Sequence, residues 1–177
     1  MAIPRRAVIF VAVFLATLAF DQGSKTWART LPVDPPGCTT EQLALQRCHG
    51  VPQPVIAGFW DWELAMNDGV AFSSFRGKRI ALSLLAVAAL VMLGVMAFRT
   101  RSDERLKRAA LGIIMGGALG NLVDRVRDGA VTDFVRWHAG DVHWPVFNVA
   151  DVALVVGIAL LLVESVLAKR RPAPQPA

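Results

Sequence analysis

The sequence predicts an all-α membrane protein with four transmembrane helices and a small extracytoplasmic β-sheet lying at the membrane interface. Of its 177 residues, 54% are hydrophobic and 19% are charged, a balance too apolar for an ordinary soluble domain. The chain contains four long apolar runs, and the second would form a helix of about 28 Å, close to a hydrocarbon thickness of about 30 Å. We therefore expect residues 1–177 to form a single integral membrane domain.

The four helices are expected where an apolar run and its polar ends together reach the length of a membrane span. Their expected bounds are residues about 5–27, 79–99, 107–126 and 149–169. The long segment between the first two helices, residues 28–78, is expected to form an extracytoplasmic loop with the small sheet. Residues 127–148 are expected to form a second outer loop.

The first apolar run also fits a cleavable secretory signal, because Arg5 and Arg6 precede an apolar core that small and polar residues follow. The residues after the run favour a retained helix. Asp21 and Lys25 are four residues apart, so their side chains can meet on one helical face as an ion pair. A discarded segment has no use for such a pair, and we interpret the run as the first transmembrane helix.

Basic residues near the helix ends predict that both termini are cytoplasmic. In this orientation the short inner segments hold ten Lys and Arg residues, whereas the nine outer ones are spread over far more chain. A cluster of Arg76, Lys78 and Arg79 on the outer side runs against this assignment. Because the net charge of +5 comes mainly from these flanks, we expect contact with membrane lipids and no nucleic-acid partner.

The first half of the long outer loop, residues 32–54, is rich in proline and polar residues. This composition predicts an irregular loop with a short helix over Thr40–Gln46. The segment contains Cys38 and Cys48, which either form a structural disulfide or remain as two free thiols.

The second half of the loop, residues 55–72, is richer in aromatic residues. Its composition predicts two short strands that turn at Asn67-Asp68-Gly69. Trp60 and Trp62 suit the interface between membrane and water, so we expect a small sheet lying on the bilayer.

The third helix carries glycine at every fourth residue, and an aspartate continues the series. A step of four residues advances only about 40° around a helix, so these positions form one slowly turning stripe. The stripe consists of Gly112, Gly116, Gly120 and Asp124. Small residues at this spacing let two helices in lipid approach closely, and we therefore expect the stripe to face another helix and not lipid.

The fourth helix is expected to begin at Asn148, a good N-cap residue, with Asp151 in the first turn where the helix dipole favours a negative charge. Upstream, His138 and His143 with Asp141 could suggest a metal site, but the histidine spacing is not helical and we expect no metal. The sequence has no H-E-x-x-H, G-x-S-x-G or nucleotide-binding glycine motif.

Polar residues from separate segments gather at one predicted face of the membrane. They are Asp21, Asn67, Asp124, Asp133 and Asp151. Two carboxylates that lie close together in a partly desolvated site cannot easily both ionise, so one holds a proton while the other stays charged. Such a pair can activate a water and protonate a leaving amine, which is the chemistry of an aspartic peptidase. Spacing alone leaves open which two aspartates form the pair.

Five segments of the chain, taken in order, resemble the motif set of the bacterial lipoprotein signal peptidases, also called signal peptidase II. They are Asp21–Lys25 (DQGSK), Asn67–Phe72 (NDGVAF), Gly116–Arg125 (GGALGNLVDR), Val131–Phe134 (VTDF) and Phe147–Asp151 (FNVAD). The resemblance covers nearly the whole chain. It implies an intramembrane aspartic endopeptidase of the bacterial inner membrane that cleaves the signal peptide from diacylglyceryl-modified prolipoproteins, just before the lipidated cysteine, without a cofactor.

The resemblance also implies residue roles, with Asp133 and Asp151 as the catalytic pair near the outer face of the membrane. The residues it assigns to substrate binding and support are Asp21, Lys25, Asn67, Gly69, Asn121, Asp124, Arg125, Asn148 and Ala150. The chain departs from the family in residues 33–54, which look longer than the usual connection. We expect a monomer whose partners are the prolipoprotein substrate and membrane lipids.

Two other classes of function are compatible with a small four-helix membrane protein that contains carboxylates. A proton-coupled carrier would place its ionisable groups near the midplane and often shows an internal repeat, and the sequence has neither feature. A membrane scaffold that binds a partner through its sheet would tolerate asparagine in place of the aspartates.

Overall fold

The computed structural model describes residues 5–69, 79–101 and 104–169. Within this part, four helices are long and apolar enough to cross a membrane. They are α1 (Arg5–Ala28), α3 (Arg79–Arg99), α4 (Arg105–Arg127) and α5 (Val149–Lys169), and the short α2 (Thr40–Ala44) lies between α1 and α3. The four helices expected from the apolar runs are therefore present.

The fold is not all-α, because the segments that connect the helices contain two antiparallel sheets. The smaller sheet pairs β1 (Val33–Asp34) with β2 (His49–Gly50). The larger sheet has the order β3 (Gln53–Ile56), β4 (Trp60–Asn67), β5 (Val131–Ala139) and β6 (Val142–His143). The all-α prediction was wrong because the long apolar runs dominate the composition, whereas the strands are short and lie between them.

The outer loop contains a hairpin that was not predicted. Residues 57–59 connect β3 to β4, and Gly58 there has a φ of +76°, a conformation that favours glycine. Asn67 instead ends β4, where its side-chain oxygen accepts a hydrogen bond of 3.0 Å from the Gly69 amide. Residues 70–72, which complete the expected second strand, lie outside the described residues, as do Arg76 and Lys78.

The neighbour of β4 on its other side comes from far along the chain. Strand β5, in the segment expected to be the second outer loop, pairs antiparallel with β4 and places Ala65 opposite Asp133. The sheet thus connects the long outer loop to the segment between α4 and α5.

Helix α4 lies between α1 and α5, and its glycine stripe faces α1 as predicted. A Cβ atom at Gly112 would lie 2.9 Å from the carbonyl oxygen of Phe10, and one at Gly116 would lie 2.7 Å from the Cβ of Thr17. A Cβ at Gly120 would collide with Asp21. The absence of side chains along the stripe therefore allows α1 and α4 to approach closely.

The cysteine-containing part of the outer loop is anchored at both ends. Cys38 and Cys48 form a disulfide. At the start of α2, the side chain of Thr39 accepts from the Gln42 amide and the side chain of Gln42 accepts from the Thr39 amide, a capping box. Leu43 and Cys48 are buried against Leu64, Met66 and Ala130 in a small core.

Candidate active site

The residues singled out in the sequence come together where α4 ends and α5 begins, next to β4 and β5. A cavity of about 640 Å³ opens there. The predicted residues that line it are Asn67, Gly69, Asn121, Arg125, Asp133 and Asp151. The others lie behind its wall, buried among the helices: Asp21, Lys25, Asp124, Asn148 and Ala150.

Asp133, on β5, is only 2% exposed. Its Oδ1 accepts a hydrogen bond of 2.6 Å from the side chain of Asn148, and its Oδ2 accepts one of 3.1 Å from the side chain of Asn67. Burial, and then the negative charge of Asp151, raise the pKa of Asp133 to about 8, although the two amide donors act in the opposite direction. At neutral pH this carboxyl group therefore holds a proton.

Asp151 lies in the first turn of α5 and is partly exposed to the cavity. Its amide donates to the side chain of Asn148 (3.1 Å), and its Oδ2 accepts from the Asn148 amide (3.2 Å), so the N-cap prediction is confirmed. Its Oδ1 accepts a bond of 3.0 Å from the side chain of Asn121. Two donors thus hold the carboxylate of Asp151 at the start of α5.

Asn121 has its amide orientation set by its neighbours. Its Oδ1 accepts 2.8 Å from the Nζ of Lys25 and 3.3 Å from the side chain of Asn148. Because a lysine ammonium can only donate, the oxygen of Asn121 must face Lys25 and the NH₂ group must face Asp151. Asn121 therefore connects a buried cation to the aspartate.

Lys25 is completely buried between two carboxylates, at 3.0 Å from Asp21 and 3.3 Å from Asp124. Asp21 also accepts a 3.0 Å bond from the backbone amide of Ala150, and thereby ties α1 to α5. Asp124 accepts 2.9 Å from the amide of Thr132 on β5. These groups connect three helices and the sheet, and none of them lines the cavity.

The cluster also contains Arg29, Asp128 and Thr132, which are not among the predicted residues. Arg29 forms ion pairs of 3.1 Å with Asp124 and 3.0 Å with Asp128, and it donates 2.6 Å to the hydroxyl of Thr132. A signal was present for Arg29, because it follows Lys25 by four residues and so lies on the same helical face. No comparable pattern marks Thr132.

Arg125 places a positive charge at the cavity wall beside the two aspartates. Its guanidinium donates 3.2 Å to the carbonyl oxygen of Gly69 and 3.4 Å to that of Asn121. The end of β4 and the end of α4 are thereby joined across one side of the cavity.

The histidines considered as metal ligands lie away from this cavity. The Nε2 of His138 is 2.9 Å from a carboxylate oxygen of Asp61, and the ring centroids of His138 and His143 are 5.8 Å apart. Asp141 is exposed. Within residues 5–69, 79–101 and 104–169, no three or more His, Cys, Asp or Glu side chains are grouped as metal ligands.

Sequence comparisons with known proteins agree on one family. The family model of signal peptidase (SPase) II matches residues 13–167. The lipoprotein signal peptidase of Geobacter sulfurreducens is 39% identical over 171 residues, which cover 94% of this chain and 96% of that protein. The lipoprotein signal peptidase of Methylorubrum extorquens is 39% identical over 163 residues, which cover 91% and 85%. A solved bacterial membrane enzyme, determined by the in meso method at 2.3 Å resolution, has the same fold, with a TM-score of 0.74 at 22% identity over 95% of this chain and 93% of that one.

Proposed function

Since the chain belongs to the signal peptidase II family, we propose that it is an intramembrane aspartic endopeptidase that cleaves diacylglyceryl-modified prolipoproteins just before the lipidated cysteine. Membership of the family makes it a peptidase, and the family together with the four apolar helices makes it a multi-pass bacterial membrane protein. The main support for an aspartic mechanism is that Asp133 and Asp151 line the same cavity and that each accepts hydrogen bonds from amide groups.

The two aspartates divide the proton transfers between them. Asp151 takes a proton from a water molecule while the water oxygen attacks the scissile carbonyl carbon, and Asp133 gives its proton to the carbonyl oxygen. The resulting diol collapses when the proton on Asp151 passes to the leaving nitrogen, the C–N bond breaks, and Asp133 takes back a proton from a diol hydroxyl. The pair then returns to its starting protonation, and no covalent intermediate forms.

Amide and guanidinium groups around the pair supply binding and orientation. Asn67 and Asn148 fix the carboxyl group of Asp133, while Asn121 fixes that of Asp151. Arg125 presents the remaining positive charge at the cavity wall and can bind substrate carbonyl groups. The supporting residues behind the wall, namely Asp21, Lys25, Asp124 and Ala150, hold the helix ends at this spacing.

The substrate reaches the pair from within the bilayer. The cavity is lined on one side by Leu154 and Val155, which belong to the membrane-spanning part of α5. This apolar wall suits the membrane-anchored part of a lipidated precursor. The proposed orientation places both termini in the cytoplasm, the cavity near the outer face, and the sheet at the interface, where its tryptophans are favoured.

The proposal is tested by measuring, in lipid or detergent, the rates at which the purified protein cleaves a diacylglyceryl-modified precursor and its unmodified form. We expect cleavage of the modified precursor only. Equal rates on both forms would contradict the substrate assignment and leave a peptidase of other specificity.

Asparagine substitutions test the catalytic pair. Asp133→Asn and Asp151→Asn should each lower the rate by at least about 10²-fold, the usual contribution of one general acid or base. The matched control is Asp141→Asn, the same change at an exposed position outside the cavity. Turnover close to the control rate, in a variant that is folded and inserted in the membrane, would remove that aspartate from the pair.

A further inference from the structure

A second cavity of about 280 Å³ adjoins the proposed active site. It lies between the disulfide-closed loop and β4, and it shares Gln46 and Met66 with the first cavity. Ala65, in its wall, is paired with Asp133 in the sheet. The two cavities therefore share a wall at Gln46 and Met66, next to the sheet pair of Ala65 and Asp133.

Gln46, at the junction of the cavities, has an unusual backbone conformation. Its φ is 55°, in the left-handed region, one residue beyond the C-cap Leu45 of α2. Hydrogen bonds from the amides of Gln46 and Arg47 to the carbonyls of Leu43 and Gln42, at 3.0 and 2.9 Å, close the end of the helix. Glycine is the usual residue at this position because a side chain is disfavoured there. A glutamine in this place suggests a use for its side chain.

Arg47 brings an available positive charge to the second cavity. Its side chain is exposed, and no carboxylate among the described residues lies within ion-pairing distance of its guanidinium. The loop that presents it is fixed by the Cys38 to Cys48 disulfide and by the burial of Leu43. Such a preformed cavity loses little conformational entropy when it binds a ligand.

We propose that Gln46 and Arg47 form a subsite for the part of the substrate that follows the scissile bond, and that this subsite favours an extended chain bearing a carboxylate side chain. The side-chain amide of Gln46 binds the backbone of the substrate peptide, and the guanidinium of Arg47 pairs with the carboxylate side chain of the substrate. The direction follows from the walls, because Leu154 and Val155 line only the first cavity, whereas the second is bounded by residues outside the membrane-spanning helices. The inference rests on the proposed function.

A charge-reversal experiment tests the role of Arg47. Lipid-modified precursors carry Asp, Asn or Lys at the second, third or fourth residue after the cleaved bond, and kcat/KM is measured for each. At one of these positions, the wild-type chain should prefer Asp to Lys by about fivefold, the effect of one partly exposed ion pair. Arg47→Glu should reverse this preference.

The matched control is Arg105→Glu, which changes the net charge equally at an exposed residue at the start of α4. It should keep the wild-type preference. If the preference for Asp over Lys in kcat/KM is the same in the wild type and in Arg47→Glu at all three positions, the subsite is overturned. If the wild-type chain cleaves none of the lipid-modified precursors, the proposed function itself fails.

Gln46→Gly tests the second residue, because this change removes the side chain and relieves its backbone. We expect KM to rise about fivefold, the equivalent of one hydrogen bond, while the melting temperature stays the same or rises. An unchanged KM would remove Gln46 from the subsite. A lower melting temperature with unchanged KM would assign the glutamine to folding alone.

Discussion

Replacing Lys25 with methionine removes the cation from the centre of a buried cluster and keeps most of its volume. Lys25 is 0% exposed, as are Asp21 and Asp124, with ion-pair distances of 3.0 and 3.3 Å. In the variant, Asp124 still has Arg29 at 3.1 Å. Asp21 retains only neutral donors, so one buried negative charge is left without a cation.

The expected loss of stability follows from this count. Breaking a buried ion pair by removing one partner costs about 3 to 5 kcal/mol, because the remaining charge is desolvated and unpaired. For a chain of this length each kcal/mol lowers the melting temperature by about 2 to 4 °C, so we expect a decrease of about 10 °C.

Thermal unfolding of the purified protein in detergent measures this decrease. The informative control is the double variant Lys25→Met with Asp21→Asn. It removes the unpaired negative charge at position 21, but the side-chain oxygen of the new asparagine can still accept from the amide of Ala150. We expect the double variant to recover most of the lost stability. A single variant that melts within about 2 °C of the wild type, or a double variant no more stable than the single, would refute the charge argument.

Three further predictions concern pH, helix packing and the loop. Burial raises the pKa of Asp133 from 3.8 to about 8, so the folded state holds this proton more tightly than the unfolded state, and both stability and activity should fall as pH rises towards and through 8. The pH profile of kcat/KM should also fall at low pH, where the second carboxylate is protonated, and a flat profile would contradict a shared proton. Gly116→Ala should destabilise the protein by about 1 to 3 kcal/mol, because the added Cβ meets α1. The control is Gly94→Ala, whose added Cβ meets nothing within 4 Å and which should be neutral or stabilising. Equal melting temperatures of the two variants would contradict close packing of the stripe. Replacing Cys38 and Cys48 with serine should cost about 2 to 3 kcal/mol in thermal unfolding, and an unaffected melting temperature would show that the bond does not constrain the loop.

The parts of the fold that could be predicted are those with a local signal. Apolar runs of membrane length gave the four helices, and the four-residue glycine spacing gave the face of α4 that packs against α1. Asn148 and Asp151 carry the residue types and spacing of a helix start, which the hydrogen bonds between them confirm.

The parts that could not be predicted depend on pairing between distant segments. Strand β5 joins β4 across more than 60 residues, and nothing near Thr132 or Asp133 in the sequence indicates that partner. The hairpin turn at residues 57–59 was not predicted, because Asn67-Asp68-Gly69 suits a turn as well as Gly58 does. The turn expected at that tripeptide stays a prediction, since the strand expected after it lies outside the described residues. The carboxylate pair likewise could not be chosen from spacing, since both Asp124 and Asp133 follow the glycine stripe, and the choice came from resemblance to the family.

The structure separates these two aspartates by their surroundings, and Asn121 lies between the two groups through its bonds to Lys25 and Asn148. Asp124 lies with cations in the buried cluster, while Asp133 lies among amides at the cavity. Because Lys25 holds the oxygen of Asn121, it also keeps the NH₂ group pointed at Asp151. The double variant restores charge balance but does not restore this orientation, so it should fold normally yet cleave the lipid-modified precursor more slowly than the wild type. A rate equal to that of the wild type would show that the bond from Asn148 is enough to orient Asn121, and that Lys25 serves folding alone.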